Sequence, residues 1–313
     1  MFVDLKRQYR QSLKSLDTEE NIDLAFYRPI GFAWAYLFRR IGITPNAVTI
    51  ASIFLGVGAG ICFYFPNLWF TVLGIVLLVW ANSFDSCDGQ LARLTGNYSP
   101  LGRILDGLSG DLWFAAIYIA ICLRSMTFTP FFMEHPWVIW VIAVVAGICH
   151  GKQAAMADYY RQFHLYFVKG AEGSELDRVE DVDRRMEGLT WSRNFWRRLT
   201  LTFYRGYTAN QQAWTPAMQR LRDTLAVVYP DGVIPDDFRQ AFRAASKPLM
   251  KYTNILTFNW RTFALFASLL AFQPWLYFIF ELVVLNIILV YMMRRHESIC
   301  RRFTDELRKK FNL

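Results

Sequence analysis

Charge is scarce in this sequence. Only 19% of its 313 residues are Asp, Glu, Lys or Arg and 54% are hydrophobic, where soluble domains carry about 25% charged residues. That balance excludes intrinsic disorder, which needs high charge and few apolar residues. There is no collagen-like glycine period, no internal repeat and no low-complexity tract. Cysteine is short as well. Cys62, Cys87, Cys122, Cys149 and Cys300 are an odd set with no C-x-x-C pair, and four of them stand in or beside apolar runs. This excludes a disulfide-stapled domain and a zinc site, and leaves them as packing thiols. The net charge of +8 would suit nucleic acid or anionic lipid. The basic residues flank apolar runs, so the expected partner is membrane lipid and not nucleic acid.

Aromatic residues are plentiful at 17%, as expected where rings sit at a bilayer interface. Residues 47–65 are 19 uncharged positions, enough to cross ~30 Å of hydrocarbon at about 1.5 Å per residue. Residues 68–84 follow after a turn at Pro66 and Asn67, and their helix continues into a charged stretch. Further apolar runs cover 104–123, ending at Arg124, and 136–149, turning polar at His150. Residues 253–293 hold two more crossings with one interior charge each, Arg261 and Glu281. The glycines of GVGAG at 56–60 read as close helix contacts. The expected fold is all-α and integral to the membrane, a bundle of six transmembrane helices. Lys and Arg crowd the first 45 residues and the C-terminal tail but are absent from the loops at 66–67, 125–135 and 273–275. By the positive-inside tendency, both termini and the loops after spans two and four face the cytoplasm, at the inner or plasma membrane in a prokaryote. The N-terminus lacks the pattern of a cleaved signal peptide, so the first span is expected to be retained.

Five segments follow. Residues 1–45 are cytoplasmic and interfacial, since 25–43 mix aromatics with Arg28, Arg39 and Arg40 and suit a helix lying in the interface. Residues 46–165 hold spans one to four, 251–296 spans five and six, and 297–313 a basic cytoplasmic tail. Between them, 166–250 read as a helical, amphipathic cytoplasmic insertion: from 165 to 250 there are 13 Lys and Arg against 11 Asp and Glu, with Trp191, Trp196 and Trp214 among the arginines.

The informative stretch is DSCDGQLARLTGNYSPLGRILDGLSGD, residues 85–111. Carboxylates at the ends of membrane helices are costly, so they mark a functional site. Asp85 and Asp88 share a helical face that Gly89 and Ala92 keep flat, and Asp106 returns on the next, antiparallel span. Carboxylates converging from two helices make an oxygen-only site for a hard divalent cation, Mg2+ as one ion or two. Arg93 adds a guanidinium suited to phosphate.

The spacing D-x-x-D-G-x-x-A-R, eight residues, then G-x-x-x-D, carried by Asp85, Asp88, Gly89, Ala92, Arg93, Gly102 and Asp106, resembles the signature of the CDP-alcohol phosphotransferase (class I phosphatidyltransferase) family. TPNAVT at 44–49 is similar to the start of that family's core, and the resemblance covers roughly 25–165 and 250–297. It implies transfer of a substituted phosphoryl group from a CDP-linked donor to an alcohol acceptor with release of CMP, in a homodimer dependent on Mg2+, for which Mn2+ can substitute. Asp85, Asp88, Asp106 and a fourth aspartate would hold the metal. Asn46, Thr49, Gly89, Ala92, Arg93 and Gly102 would line the nucleotide pocket. The fourth aspartate belongs at 110, which is Gly110; Asp111 stands one residue later, about 100° further round a regular helix. A π-turn between Gly107 and Gly110 would bring Asp111 onto the face as a metal ligand and the catalytic base.

A CDP-diacylglycerol-type donor is favoured. The alternatives are a headgroup transferase moving a soluble CDP-alcohol onto a diacylglycerol or ceramide, a membrane transporter, and an inactive scaffold. His150, Lys152, Gln153, Asp158, Arg161, Asn259 and Arg261 either shape a pocket for an anionic acceptor or snorkel and hydrogen-bond between helices.

Overall fold

The computed structural model describes residues 7–9, 12, 13, 17–170, 174 and 176–312, and the described residues form helices and turns with no strand. In chain order the first helices are Arg28–Ile41 (α1), Pro45–Tyr64 (α2), Leu68–Thr95 (α3), Pro100–Phe128 (α4), Pro130–Glu134 (α5) and Pro136–Lys169 (α6). Val179–Met186 (α7), Phe195–Ala213 (α8), Pro216–Val228 (α9), Asp236–Ser246 (α10), Met250–Ile255 (α11) and Phe258–Leu270 (α12) follow. The last is Leu276–Phe311 (α13), whose Phe280–Leu285 stretch is a π-helical turn. Among the described residues, five helices are long and apolar enough to cross a membrane: α2, α3, α4 from Leu105, α6 and α13. The protein is a multi-pass, all-helical membrane protein.

The start of each apolar helix is written in its cap. Thr44 accepts from Ala47 N ahead of Pro45, Asn67 from Trp69 N at 2.8 Å, and Ser99 from Gly102 N at 2.8 Å ahead of Pro100. Each side-chain oxygen satisfies an N–H that the first turn leaves unpaired, and proline adds a preset φ. Gly96 ends α3 at φ 68°, a left-handed cap that residues with a Cβ resist.

The chain divides into two compact units, Met1–Ile148 with Asn259–Leu282, and Cys149–Phe258 with Val283–Leu313. In the first, small residues set the helix contacts. A Cβ on Gly56 would collide with the Trp113 ring, one on Gly60 would lie 2.9 Å from Ala116, and one on Gly74 would lie 2.5 Å from the Phe63 ring. α2, α3 and α4 can therefore close on one another, as GVGAG predicted. Phe54, Ile61, Trp69, Trp137 and Val144 face outward, an apolar surface that lipid covers at no cost. Arg124 is buried and donates to the Phe63 carbonyl at 3.1 Å, a cation at the carbonyl-rich end of α2. All five cysteines are free and four are buried, as packing thiols should be.

In the second unit the described residues from 176 to 250 carry α7, α8, α9 and α10. Glu297 is buried and accepts from Ala217 N at 2.7 Å and Met218 N at 3.2 Å, so a carboxylate meets the N-terminus of α9. Arg185 grips Asp177 through two 2.7 Å bonds, and Arg205 grips Asp183 at 2.6 and 3.1 Å.

One expectation is altered. The fifth crossing, sought from 253 onward, is divided between α11 and α12, with 6 and 13 residues, and neither is a span by length. The break falls at Leu256–Thr257. Thr257 turns both its N–H (3.0 Å) and its hydroxyl (2.7 Å) onto the Asn254 carbonyl, a local bond that competes with the helical ladder.

The two interior charges of the last crossings find each other in the first unit. Arg261 and Glu281, 1% and 0% exposed, form an ion pair. The Tyr118 hydroxyl donates to the other Glu281 oxygen, and Tyr277 OH lies 3.3 Å from the first. Removing one member of a buried pair strands the other charge and costs about 3–5 kcal/mol. Glu281→Leu should lower the melting temperature of the solubilised protein sharply, and Arg261→Met/Glu281→Leu should recover most of the loss. A single variant that melts like the wild type would show that the pair does not hold these helices.

Candidate active site

The acids converge where the end of α3 meets the start of α4. Asp85, Asp88 and Asp106 each bring a carboxylate oxygen within 4.8 Å of the others. Asp88 is buried, Asp85 half-buried and Asp106 exposed. Two like charges 4.8 Å apart repel by roughly 3–4 kcal/mol at an effective dielectric of about 20. A cation among them would relieve that repulsion.

Hydroxyls hold it in place. The Thr49 hydroxyl, one turn into α2, donates to Asp88 Oδ2. Ser109 Oγ lies 2.9 Å from Asp85 Oδ1 and 2.8 Å from the Asp106 carbonyl, so it ties α4 to α3. Ser109 was not singled out in the sequence, although its position three residues after Asp106 puts it on the same face. Asn46 and Gly102 meet at the start of α4. Asn46 Oδ1 accepts from Ser99 Oγ at 3.1 Å, and a Cβ on Gly102 would stand 2.5 Å from Asn46 Oδ1. Only glycine fits there without moving a neighbour. Gly89 and Ala92 are half-buried on the acidic face, and the Arg93 guanidinium folds over Gly89, with Nη2 3.5 Å from where a Cβ would be. Arg93 Nε donates to the Ser12 carbonyl at 2.6 Å.

Asp111 does not join this group. α4 is a regular α-helix through 107–111, so the expected π-turn is absent. No atom comes within 4 Å of a Cβ built on Gly107 or Gly110, so no close packing compensates for the helical bond that a π-turn gives up. Five residues past Asp106, Asp111 lies about 140° round the axis, and it is exposed. The residues considered for an anionic acceptor are also engaged. Arg261 is held by Glu281. Asn259 donates to Asp23 at 2.9 Å and to Glu20. In the second unit Lys152 sits 3.5 Å over the Trp214 ring, Gln153 donates to Asn286 at 2.8 Å and Arg161 to Asn254 at 3.2 Å.

Capped antiparallel membrane helices that bring three aspartates together at one end define the class: a helical membrane domain with a carboxylate cluster. Residues 42–162 match the family model of the CDP-alcohol phosphatidyltransferases. An archaetidylinositol phosphate synthase of Pyrococcus horikoshii is 40% identical over 86 residues, 28% of this chain and 44% of that protein. One of Aeropyrum pernix is 33% identical over 90 residues, 28% of this chain and 45% of that protein. The chain thus spans less than half the length of either relative.

A ligand that binds only the folded state stabilises it, by about 2.7 kcal/mol at a hundred times its dissociation constant. Mg2+ or Mn2+ should therefore raise the melting temperature of the wild type. Asp88→Asn should abolish that rise while leaving the metal-free protein as stable or more so, because one repelling charge is gone. A metal-induced shift that survives Asp88→Asn would dissociate the three acids from metal binding.

Proposed function

We propose that this chain is an integral-membrane CDP-alcohol phosphotransferase of phospholipid synthesis. It transfers a substituted phosphoryl group from a CDP-linked donor to an alcohol and releases CMP. The observation that carries this reading is the meeting of Asp85, Asp88 and Asp106 within 4.8 Å, inside the segment that matches the family. An all-carboxylate set fits a hard divalent cation, so Asp85, Asp88 and Asp106 would hold Mg2+, as one ion or two, or Mn2+. Bound there, the metal supplies charge neutralisation for the phosphates.

The protein's own residues do the positioning. Thr49 and Ser109 fix the carboxylates of Asp88 and Asp85. Gly89 leaves room for a diphosphate at the helix surface, and Arg93 is the guanidinium beside it. Asn46 and Gly102 close the nucleotide side. The acceptor hydroxyl oxygen bonds to phosphorus as the bond from phosphorus to the CMP oxygen breaks; CMP departs with that electron pair, and the hydroxyl proton passes to water. Asp111 points away from the acids along a regular helix, so no step is placed on it. The relatives' name joins an archaetidyl group to inositol phosphate, which favours a lipid-linked donor of the CDP-diacylglycerol type and a polyol phosphate acceptor. Loop charge supports six crossings, with the fifth and sixth in residues 253–293. It also supports both termini, the site and the 166–250 segment on the cytoplasmic side. The family resemblance adds a homodimer.

Divalent-metal-dependent release of CMP from a panel of CDP-linked lipids and CDP-alcohols tests the activity and names the donor. Asp88→Asn should cut turnover by two decades or more. Asp111→Asn should keep turnover within a few-fold of wild type; a drop on the scale of about 10²–10⁴, typical of a lost general base, would instead return Asp111 to the site.

A further inference from the structure

Arg93 belongs to the motif, but a second guanidinium stands beside it that the motif does not contain. Gly31 brings α1 onto α3 so closely that a Cβ there would lie 2.6 Å from Gln90 Oε1 and 3.1 Å from Ser86 Oγ. Arg28, one turn earlier on the same face, thereby reaches the helix that carries the acids and donates from Nη1 to Ser86 Oγ at 3.2 Å. Ser86 adjoins Asp85 and shares a helix face with Arg93, about two turns on. The charges of Arg28 and Arg93 are close enough to repel. Holding two guanidiniums together requires acceptors, and the N-terminal segment supplies them. Arg28 Nε donates to Glu19 Oε2 at 2.9 Å in a largely buried pair, with side chains 16% and 4% exposed. Ser12 gives its carbonyl to Arg93 at 2.6 Å and its hydroxyl to Gln90 Nε2 at 3.1 Å.

A guanidinium fork donates to phosphate oxygens as readily as to a carboxylate. Resting on the transferase reading, we infer that Arg28 and Arg93 together form a phosphate-binding edge beside the three acids. Glu19 and Ser12 occupy that edge until a phosphate-bearing ligand displaces them. The interfacial helix thus contributes a binding residue that the motif does not specify, and Glu19 is an internal competitor for it. The phosphate is either the diphosphate of the CDP-linked donor or the phosphate of a phosphorylated acceptor.

Calorimetric titration of the full chain in nanodiscs, with Mg2+ present, separates these. CDP serves as the donor-side probe and inorganic phosphate as the acceptor-side probe. Arg28→Gln should weaken one of them about tenfold or more, the loss of a charge-assisted hydrogen bond, and Glu19→Gln should tighten the same probe. Glu19→Gln/Arg28→Gln removes both charges together and should bind as weakly as Arg28→Gln, so it carries the test where the single variant does not fold. Weakening of CDP assigns the edge to the donor, and weakening of inorganic phosphate alone assigns it to the acceptor. The inference is overturned if folded variants lacking Arg28 bind both probes like the wild type, or if Glu19→Gln weakens binding. A wild-type protein that fails to bind CDP at all would overturn the transferase reading itself, and the phosphate edge with it.

Discussion

Three carboxylates crowded into one site at the end of apolar helices repel one another, and their mutual repulsion is the constraint that the surrounding structure serves. Hydrophobic burial cannot produce such a group; it would push the acids apart or out into water. The helices are instead located by features independent of the acids. Thr44 and Ser99 fix where α2 and α4 begin, and the glycines at 56, 60 and 74 fix how closely the three helices approach. Thr49 and Ser109 then satisfy carboxylate oxygens with hydroxyl donors, which orient the acids without cancelling their charge. Lys or Arg in those places would have cancelled the repulsion and left less to be gained from a cation.

Charge elsewhere in the first unit is handled in the opposite way. Arg261 and Glu281 cancel each other in the apolar interior and carry two tyrosines with them. Arg124 is offset by a helix-end carbonyl. Such groups are closed, because their donors and acceptors meet within the chain. The acids at 85, 88 and 106 instead gather charges of one sign. Burial alone does not draw that contrast, since Arg261 is more deeply buried than any of the three acids.

Much of this was legible in the sequence because it is local. Caps, prolines and uninterrupted apolar runs act within a turn or two, so α2, α3, α4 and α6 begin where the residues indicate. The motif was legible because Asp85, Asp88 and Asp106 lie on helices joined by a short connection. The partnership of Arg261 with Glu281 and Tyr118 was not, because residues of like hydropathy offer many long-range pairings. The same limit misplaced the π-turn. Glycines at 107 and 110 permit one, but permission is not a driving force. Among the described residues, π-turns form at Asp23–Tyr27 and Phe280–Leu285, and in the second Glu281 meets Arg261 and Tyr118. Ser109 was missed for a milder reason, since serine is common in membrane helices and only its partner gives it meaning.

α1 shows how a site can extend beyond its motif. A helix that only anchored the chain at the interface would need an apolar face and basic flanks, and α1 has both. It would not need Gly31, whose missing side chain lets α1 close on Ser86, Cys87 and Gln90, nor a guanidinium within reach of the motif helix. Close approach has an energetic cost, because it desolvates Arg28 and Glu19 together, and a buried ion pair seldom repays its desolvation by itself. Apolar residues of similar size in place of such a pair are often neutral or stabilising. A pair set one residue from a carboxylate centre, with one member able to exchange its carboxylate partner for a phosphate, has a use for that charge that packing alone does not supply.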